Sequence, residues 1–130
     1  MKGTLHHVEI YVKDLKVSRK FWGWILGKMG YSEYQNWEQG ISYILDDTYI
    51  VFVQAEEKFL DILYHRCRPG LNHLAFHGGT REFVDDITKE LKAKRVKILY
   101  EDRHPYAGGK DYYAVYFEDP DRMKVETTAD

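Results

Sequence analysis

The same order of predicted strands and helix occurs twice in this chain, and this repeat constrains the fold more than any other feature. Residues 4–12 alternate polar and apolar side chains as a half-buried strand does, and Asp14 is a good N-cap for the helix that follows. Three strand-like segments come next, and after a charged connection at 55–69 the pattern starts again. The predicted strands lie at 4–12, 31–37, 41–45, 48–54, 71–77, 96–100, 112–118 and 123–128. The sequence therefore predicts two βαβββ modules, about 4–54 and 71–128.

The composition indicates a single globular domain, residues 1–130, with enough apolar material for a real core at 44% hydrophobic residues. The 19 basic and 21 acidic residues are scattered and give a net charge of -2, so we expect neither a nucleic-acid nor a membrane partner. Cys67 is the single cysteine and cannot form an internal disulfide. Because the sequence also has neither a signal-type nor a membrane-spanning apolar run, we expect a cytoplasmic protein.

The repeat predicts an α+β fold in which two βαβββ modules form a curved mixed sheet around a cleft. Each module would place one helix on the convex side of its strands and leave the concave side uncovered. In the first strand of each module, side chains that alternate away from the helix would then point into the cleft.

Three chemically suited side chains are predicted to meet in that cleft. His7 and His73 occupy matching places in the two first strands, on the face opposite the apolar residues. In the last strand, Met123 and Val125 share the core face, so Glu126 would point to the side of the histidines. Two imidazoles and one carboxylate can hold a divalent ion with open coordination positions, and Fe, Mn, Zn and Ni all accept such ligands. The alternative is a metal-free pocket.

The matching strand of the first module is predicted to contribute no carboxylate. If Tyr49, Val51 and Val53 take the core face, Phe52 and Gln54 point into the cleft and contact the substrate. The fourth corner of the site would then be formed by an aromatic ring or an amide.

Other residues on the cleft side are candidates for contacts with a bound substrate. Glu9 shares the face of His7 and is a candidate catalytic base, although an ion pair with a neighbouring Lys or Arg is the alternative. Tyr11 lies on the same face, and His77, on the strand of His73, would reach the rim of the cleft.

The loop at 103–110 combines cations, an aromatic ring and paired glycines. Arg103 in this loop is a candidate anion contact on a mobile lid, whereas the alternative is a solvated strand connection. Tyr112 and Tyr116 alternate along the following strand and would line the pocket, while Tyr113 packs elsewhere.

Taken together in their order and spacing, these segments resemble the vicinal oxygen chelate superfamily, which includes glyoxalase I, extradiol dioxygenases, and the fosfomycin-resistance and bleomycin-resistance proteins. The resemblance covers nearly the whole chain. It is carried by HVEIYVKDL at 7–15, the aromatic pair FW at 21–22, NHLAF at 72–76, YFEDPD at 116–121 and VE at 125–126.

The resemblance implies metal ligands at His7, His73 and Glu126, with Glu126 also counted among the catalytic residues. The position that holds a glutamate ligand in glyoxalase I matches Phe52 best, with Gln54 as the other candidate. This departure argues against a true glyoxalase I, and the remaining two-histidine, one-carboxylate set is similar to that of extradiol dioxygenases and fosfomycin-resistance enzymes.

The resulting expectation is a glyoxalase-like, metal-dependent lyase or isomerase that binds a small substrate through adjacent oxygen atoms. One alternative is an extradiol-type dioxygenase or a fosfomycin-resistance-like transferase. Another is a non-catalytic protein of the bleomycin-resistance type that sequesters its ligand. The resemblance further implies a homodimer.

Overall fold

The computed structural model describes residues 2–130, which form two compact units, residues 2–63 and Tyr64–Asp130. The first contains strand β1 (His7–Val12), helix α1 (Leu15–Lys28) and strands β2 (Ser32–Trp37), β3 (Gly40–Leu45) and β4 (Thr48–Gln54). The second contains strand β5 (His73–Gly79), helix α2 (Arg81–Ala93) and strands β6 (Ile98–Leu99), β7 (Ala114–Glu118) and β8 (Lys124–Ala129). A short 3-10 helix, Glu57–Phe59, follows β4. The predicted pair of βαβββ modules is confirmed.

Each unit has one mixed four-stranded sheet, and the two sheets have the same topology. The strand orders are β1-β4-β3-β2 and β5-β8-β7-β6. The first and last strands of each unit pair in parallel, and the other pairs are antiparallel. We call the side of each sheet that packs on its helix the helix face, and the opposite side the far face.

Helix α1 begins where the sequence predicts. The Asp14 side chain accepts hydrogen bonds from the backbone N–H groups of Lys16, at 3.1 Å, and Val17. Such a cap satisfies N–H groups that have no partner within the helix. The helix buries Trp22 and Ile25 completely, so its apolar stripe lies against the sheet.

Helix α2 is capped by Thr80, whose hydroxyl accepts a hydrogen bond from the Phe83 N–H at 3.0 Å. Its buried stripe contains Val84, Ile87 and Leu91. The glycine in β5 that faces this helix, Gly78, lies against the side chains of Thr127 and Val84. Gly78 and Thr127 therefore mark the helix face of the second sheet. No helix within residues 2–130 is long and apolar enough to cross a membrane.

The predicted orientation of β4 is wrong, because Phe52 and Gln54 lie on the helix face. The Phe52 ring is fully buried and stacks on Trp22 of α1, with ring centroids 4.9 Å apart. The Gln54 carboxamide accepts a hydrogen bond from the Leu15 N–H and donates one to the Lys13 carbonyl, both at 2.8 Å. Phe52 is thus a core residue, and Gln54 fastens the chain that enters α1.

The reason for this error is that β4 is a central strand. Val51, on the far face, is as well buried as its neighbours Ile50 and Phe52 on the helix face, at 3%, 5% and 0% exposure. A strand buried on both faces carries no polar alternation that would mark its orientation. The far face of β4 consists of Tyr49, Val51 and Val53, the residues predicted for the core.

Candidate metal and substrate site

His73 and Glu126 lie side by side on the far face of the second sheet. Strands β5 and β8 run in parallel, and their register pairs Ala75 with Glu126, so a side chain two residues earlier in β5 reaches the same carboxylate. The His73 Nε2 atom is 3.6 Å from Glu126 Oε1. Glu126 is only 3% exposed, and a buried carboxylate requires partners that satisfy its charge.

Two tyrosine hydroxyls supply part of that satisfaction. The Tyr112 hydroxyl donates a hydrogen bond to Glu126 Oε2, and this bond, followed by burial, raises the pKa of Tyr112. Tyr116 lies opposite Glu126 in the β7–β8 register, and its pKa is raised mainly by burial and then by a hydrogen bond to Glu126. Both phenols therefore stay protonated near neutral pH and act as donors to the carboxylate.

The second ring nitrogen of His73 has a partner that the sequence analysis missed. His73 Nδ1 is 2.7 Å from the carboxamide oxygen of Asn72. An amide oxygen only accepts hydrogen bonds, so Nδ1 must carry the proton and, in the neutral ring, Nε2 keeps its lone pair. A partner of this kind is what metal-binding histidines usually have. The available sequence signal was the asparagine directly before the histidine.

The pair formed by His73 and Glu126 fits two positions of a metal coordination shell. His73 Nε2 and Glu126 Oε1 are close neighbours, and two electron-donating atoms at this separation favour a cation between them. Two ligand atoms bound to one ion at about 2.0–2.2 Å lie roughly 2.8–3.6 Å apart in octahedral or tetrahedral coordination, and the observed 3.6 Å is at the upper end of this range. Within residues 2–130, no group of three or more His, Cys, Asp or Glu side chains is arranged to hold a metal ion.

His7 occupies the matching place in the first unit, on the far face of β1. Its ring is exposed and stacks on Tyr49, its partner in the β1–β4 register, with centroids 4.8 Å apart and an interplanar angle of 5°. Its Nδ1 is 2.9 Å from Nδ1 of His6. As in the second unit, the residue directly before the histidine contacts Nδ1.

The two registers identify the first-unit counterpart of Glu126. Glu126 pairs with Ala75 in the second unit, whereas the residue two positions after His7, Glu9, pairs with Val51. The counterpart is therefore Val51. The prediction that Phe52 occupies this position is wrong. An apolar side chain occupies the position, so the first unit supplies no carboxylate from β4.

Glu9, Tyr11 and His77 all lie on far faces, in the alternation that the sequence predicts. The Tyr11 side chain is 73% exposed. The His77 ring is also exposed, and its Nδ1 is 2.6 Å from a carboxylate oxygen of Asp130. This hydrogen bond is the main reason why the pKa of His77 is raised.

Arg103 lies in a run of turns, and its guanidinium carbon is 5.1 Å from the centroid of the Tyr100 ring. The same ring contacts Lys124, which the sequence analysis missed. Lys124 lies two residues before Glu126 in β8 and thus on the same face, so strand parity was a signal that could have found it. Tyr113 packs away from this group, as predicted, with its hydroxyl bonded to Asp85.

Comparison with known proteins agrees with this architecture. The sequence profile of the Glyoxalase/Bleomycin resistance protein/Dioxygenase superfamily matches residues 4–127. The chain is 58% identical over 125 residues to the uncharacterized protein YqjT of Bacillus subtilis (strain 168), covering 96% of this chain and 98% of YqjT. A crystal structure of a candidate glyoxalase from Bacillus halodurans superposes with a TM-score of 0.98 at 55% identity, over 99% of this chain and 97% of that one.

A more distant likeness is to the genomically encoded fosfomycin resistance protein FosX of Listeria monocytogenes. It has a TM-score of 0.73 and 25% identity, over 100% of this chain and 95% of FosX. The chain belongs to the Glyoxalase/Bleomycin resistance protein/Dioxygenase superfamily.

Proposed function

We propose that the protein is a metal-dependent, glyoxalase-like enzyme of the lyase or isomerase type. Its substrate is a small molecule with adjacent oxygen atoms, and its ion, one of Fe, Mn, Zn or Ni, is held by His7, His73 and Glu126. The observation that carries this proposal is the 3.6 Å approach of His73 Nε2 to Glu126 Oε1, together with the contact of Asn72 that leaves Nε2 unprotonated.

A bound divalent ion would polarise the substrate oxygens and stabilise negative charge that develops on them. The protein's own part is to hold the carboxylate of Glu126 in place through Tyr112 and Tyr116. Glu9 is the proposed general base, because it shares the face of His7. Within residues 2–130, no Lys or Arg nitrogen lies within 4 Å of its carboxylate, so the carboxylate is not engaged in an ion pair.

A second candidate is an activity of the fosfomycin-resistance type. The observation in its favour is the similarity to FosX of Listeria monocytogenes along the whole chain. The two-histidine, one-carboxylate ligand set is compatible with this candidate, as it is with an extradiol-type dioxygenase.

The metal content of the purified protein tests the proposal. Protein prepared without chelator is expected to contain close to one divalent ion per chain, and a His73→Ala variant is expected to lose most of it, because one ligand is removed. Elemental analysis of both proteins, after their folding is checked by circular dichroism, provides the measurement. Metal near zero in both proteins would contradict the proposal and favour a ligand-sequestering protein.

We also propose a homodimer located in the cytoplasm. Support for association comes from Phe59 and Ile62, which are 65% and 75% exposed in the segment after β4, since exposed clusters of large apolar side chains mark contact surfaces. Support for the location comes from the free, exposed thiol of Cys67, which suits a reducing compartment.

A further inference from the structure

Lys124 is a partly buried cation whose contacts are with tyrosine side chains. Its Nζ donates a hydrogen bond to the Tyr100 hydroxyl at 3.3 Å, and it lies 5.5 Å from the Tyr100 ring and 5.9 Å from the Tyr116 ring. Within the part of the chain that the structure describes, no carboxylate oxygen is within 4 Å of it. An ammonium group that is partly shielded from water is stabilised by a counterion, so an anion bound at this position would be favourable.

The nearest acid in the register cannot serve as that anion. Glu118 pairs with Lys124 across β7 and β8, but its carboxylate is engaged elsewhere. One oxygen accepts a hydrogen bond from Arg66 at 3.0 Å, and the other is 3.5 Å from Nε of Arg122. Glu118 is therefore already paired with two arginines and does not neutralise Lys124.

Arg103 adds a second cation at the same ring. Its guanidinium carbon is 5.1 Å from the Tyr100 centroid, and it too has no carboxylate within 4 Å among residues 2–130. Cation–π contacts orient the two charged groups without neutralising them. Lys124 and Arg103 therefore both contact the Tyr100 ring, and neither charge is paired with a carboxylate among residues 2–130.

The Tyr116 side chain connects this cationic pair with Glu126. Tyr116 pairs with Glu126 in the β7–β8 register, and its ring contacts Lys124. We propose that Lys124 and Arg103 form an anion-binding subsite that receives a carboxylate or phosphate group of the substrate. The inference rests on the proposed function and narrows it, because the substrate must carry an anionic group separate from the oxygens held near Glu126.

Titration of metal-free protein with inorganic phosphate and with acetate, followed by NMR, tests the subsite without any contribution from a metal. Phosphate is expected to shift the resonances of Tyr100 and Lys124, and Lys124→Met to weaken its binding by about tenfold or more. Arg103→Gln should weaken binding less, because this side chain is more exposed. Lys124→Arg should retain binding, since the charge remains.

Lys89→Met is the matched control, because Lys89 is an exposed lysine on α2, away from this group. Equal phosphate affinity in the wild type and Lys124→Met, or an equal loss in Lys89→Met, would overturn the subsite. The two variants distinguish a failure of the subsite from a failure of the metal proposal. Lys124→Met should keep its metal content, whereas His73→Ala should lose metal and still bind phosphate. Stronger binding of phosphate than of acetate would identify the anionic group as a phosphate or phosphonate.

Discussion

Replacing Glu126 by glutamine is expected to lower the affinity for a divalent ion by at least about 100-fold, because even partners outside the ligand shell change metal affinity by about 10- to 100-fold. The amide oxygen of glutamine still accepts hydrogen bonds from Tyr112 and Tyr116, so the fold should persist. What disappears is the negative charge beside His73 Nε2. Isothermal titration with Zn²⁺ or Ni²⁺ measures the change.

Glu118→Gln is the matched control for this prediction. Glu118 is also a buried carboxylate on the same face of the same sheet, but it is bonded to Arg66 and Arg122 instead of to a histidine. Its replacement should lower the free energy of unfolding, because it leaves a partly buried arginine without its counterion. Metal affinity should not change. Equal metal affinity in the wild type and Glu126→Gln would contradict the assignment.

Phe52→Ala is expected to lower the free energy of unfolding by about 3–5 kcal/mol, the range for large aromatic deletions in a core. Phe52 is 0% exposed and stacks on Trp22, so alanine would leave a cavity between β4 and α1. Chemical denaturation in urea, with the midpoint and slope measured together, gives the change in stability.

Tyr11→Ala provides the contrast, because Tyr11 is a large aromatic residue that is 73% exposed on β1. Its replacement should change stability by no more than about 0.5 kcal/mol. A Phe52→Ala protein as stable as the wild type would mean that Phe52 lines a binding pocket, as the strand alternation alone suggested, and not the core.

The features predicted from sequence are those with a strong local signal. Asp14 marks the start of α1 because its side chain can cap a helix, and the alternation around His7 is visible because every second residue is polar. Glu126 was placed correctly on the far face for the same reason, since its neighbour Val125 is apolar and fully buried. Local chemistry was enough to orient a strand wherever a polar or charged residue alternates with apolar neighbours along it.

The features that were missed depend on which strands become neighbours. The orientation of β4 has no polar marker, so the counterpart of Glu126 was placed at Phe52 and not at Val51. The bond between Asn72 and the ring of His73 depends on a side-chain rotamer, and the position of Lys124 at Tyr100 depends on how a loop folds back on its sheet. The hydrophobic periodicity of the sequence does not predict strand neighbours, side-chain rotamers or loop contacts.

The most direct test of the central claim is a crystal structure grown with Co²⁺, with the ion located by its anomalous scattering. We expect one strong peak about 2.0–2.3 Å from His73 Nε2, from a carboxylate oxygen of Glu126 and from an imidazole nitrogen of His7. A peak at other residues, or none between His73 and Glu126 at saturating Co²⁺, would contradict it.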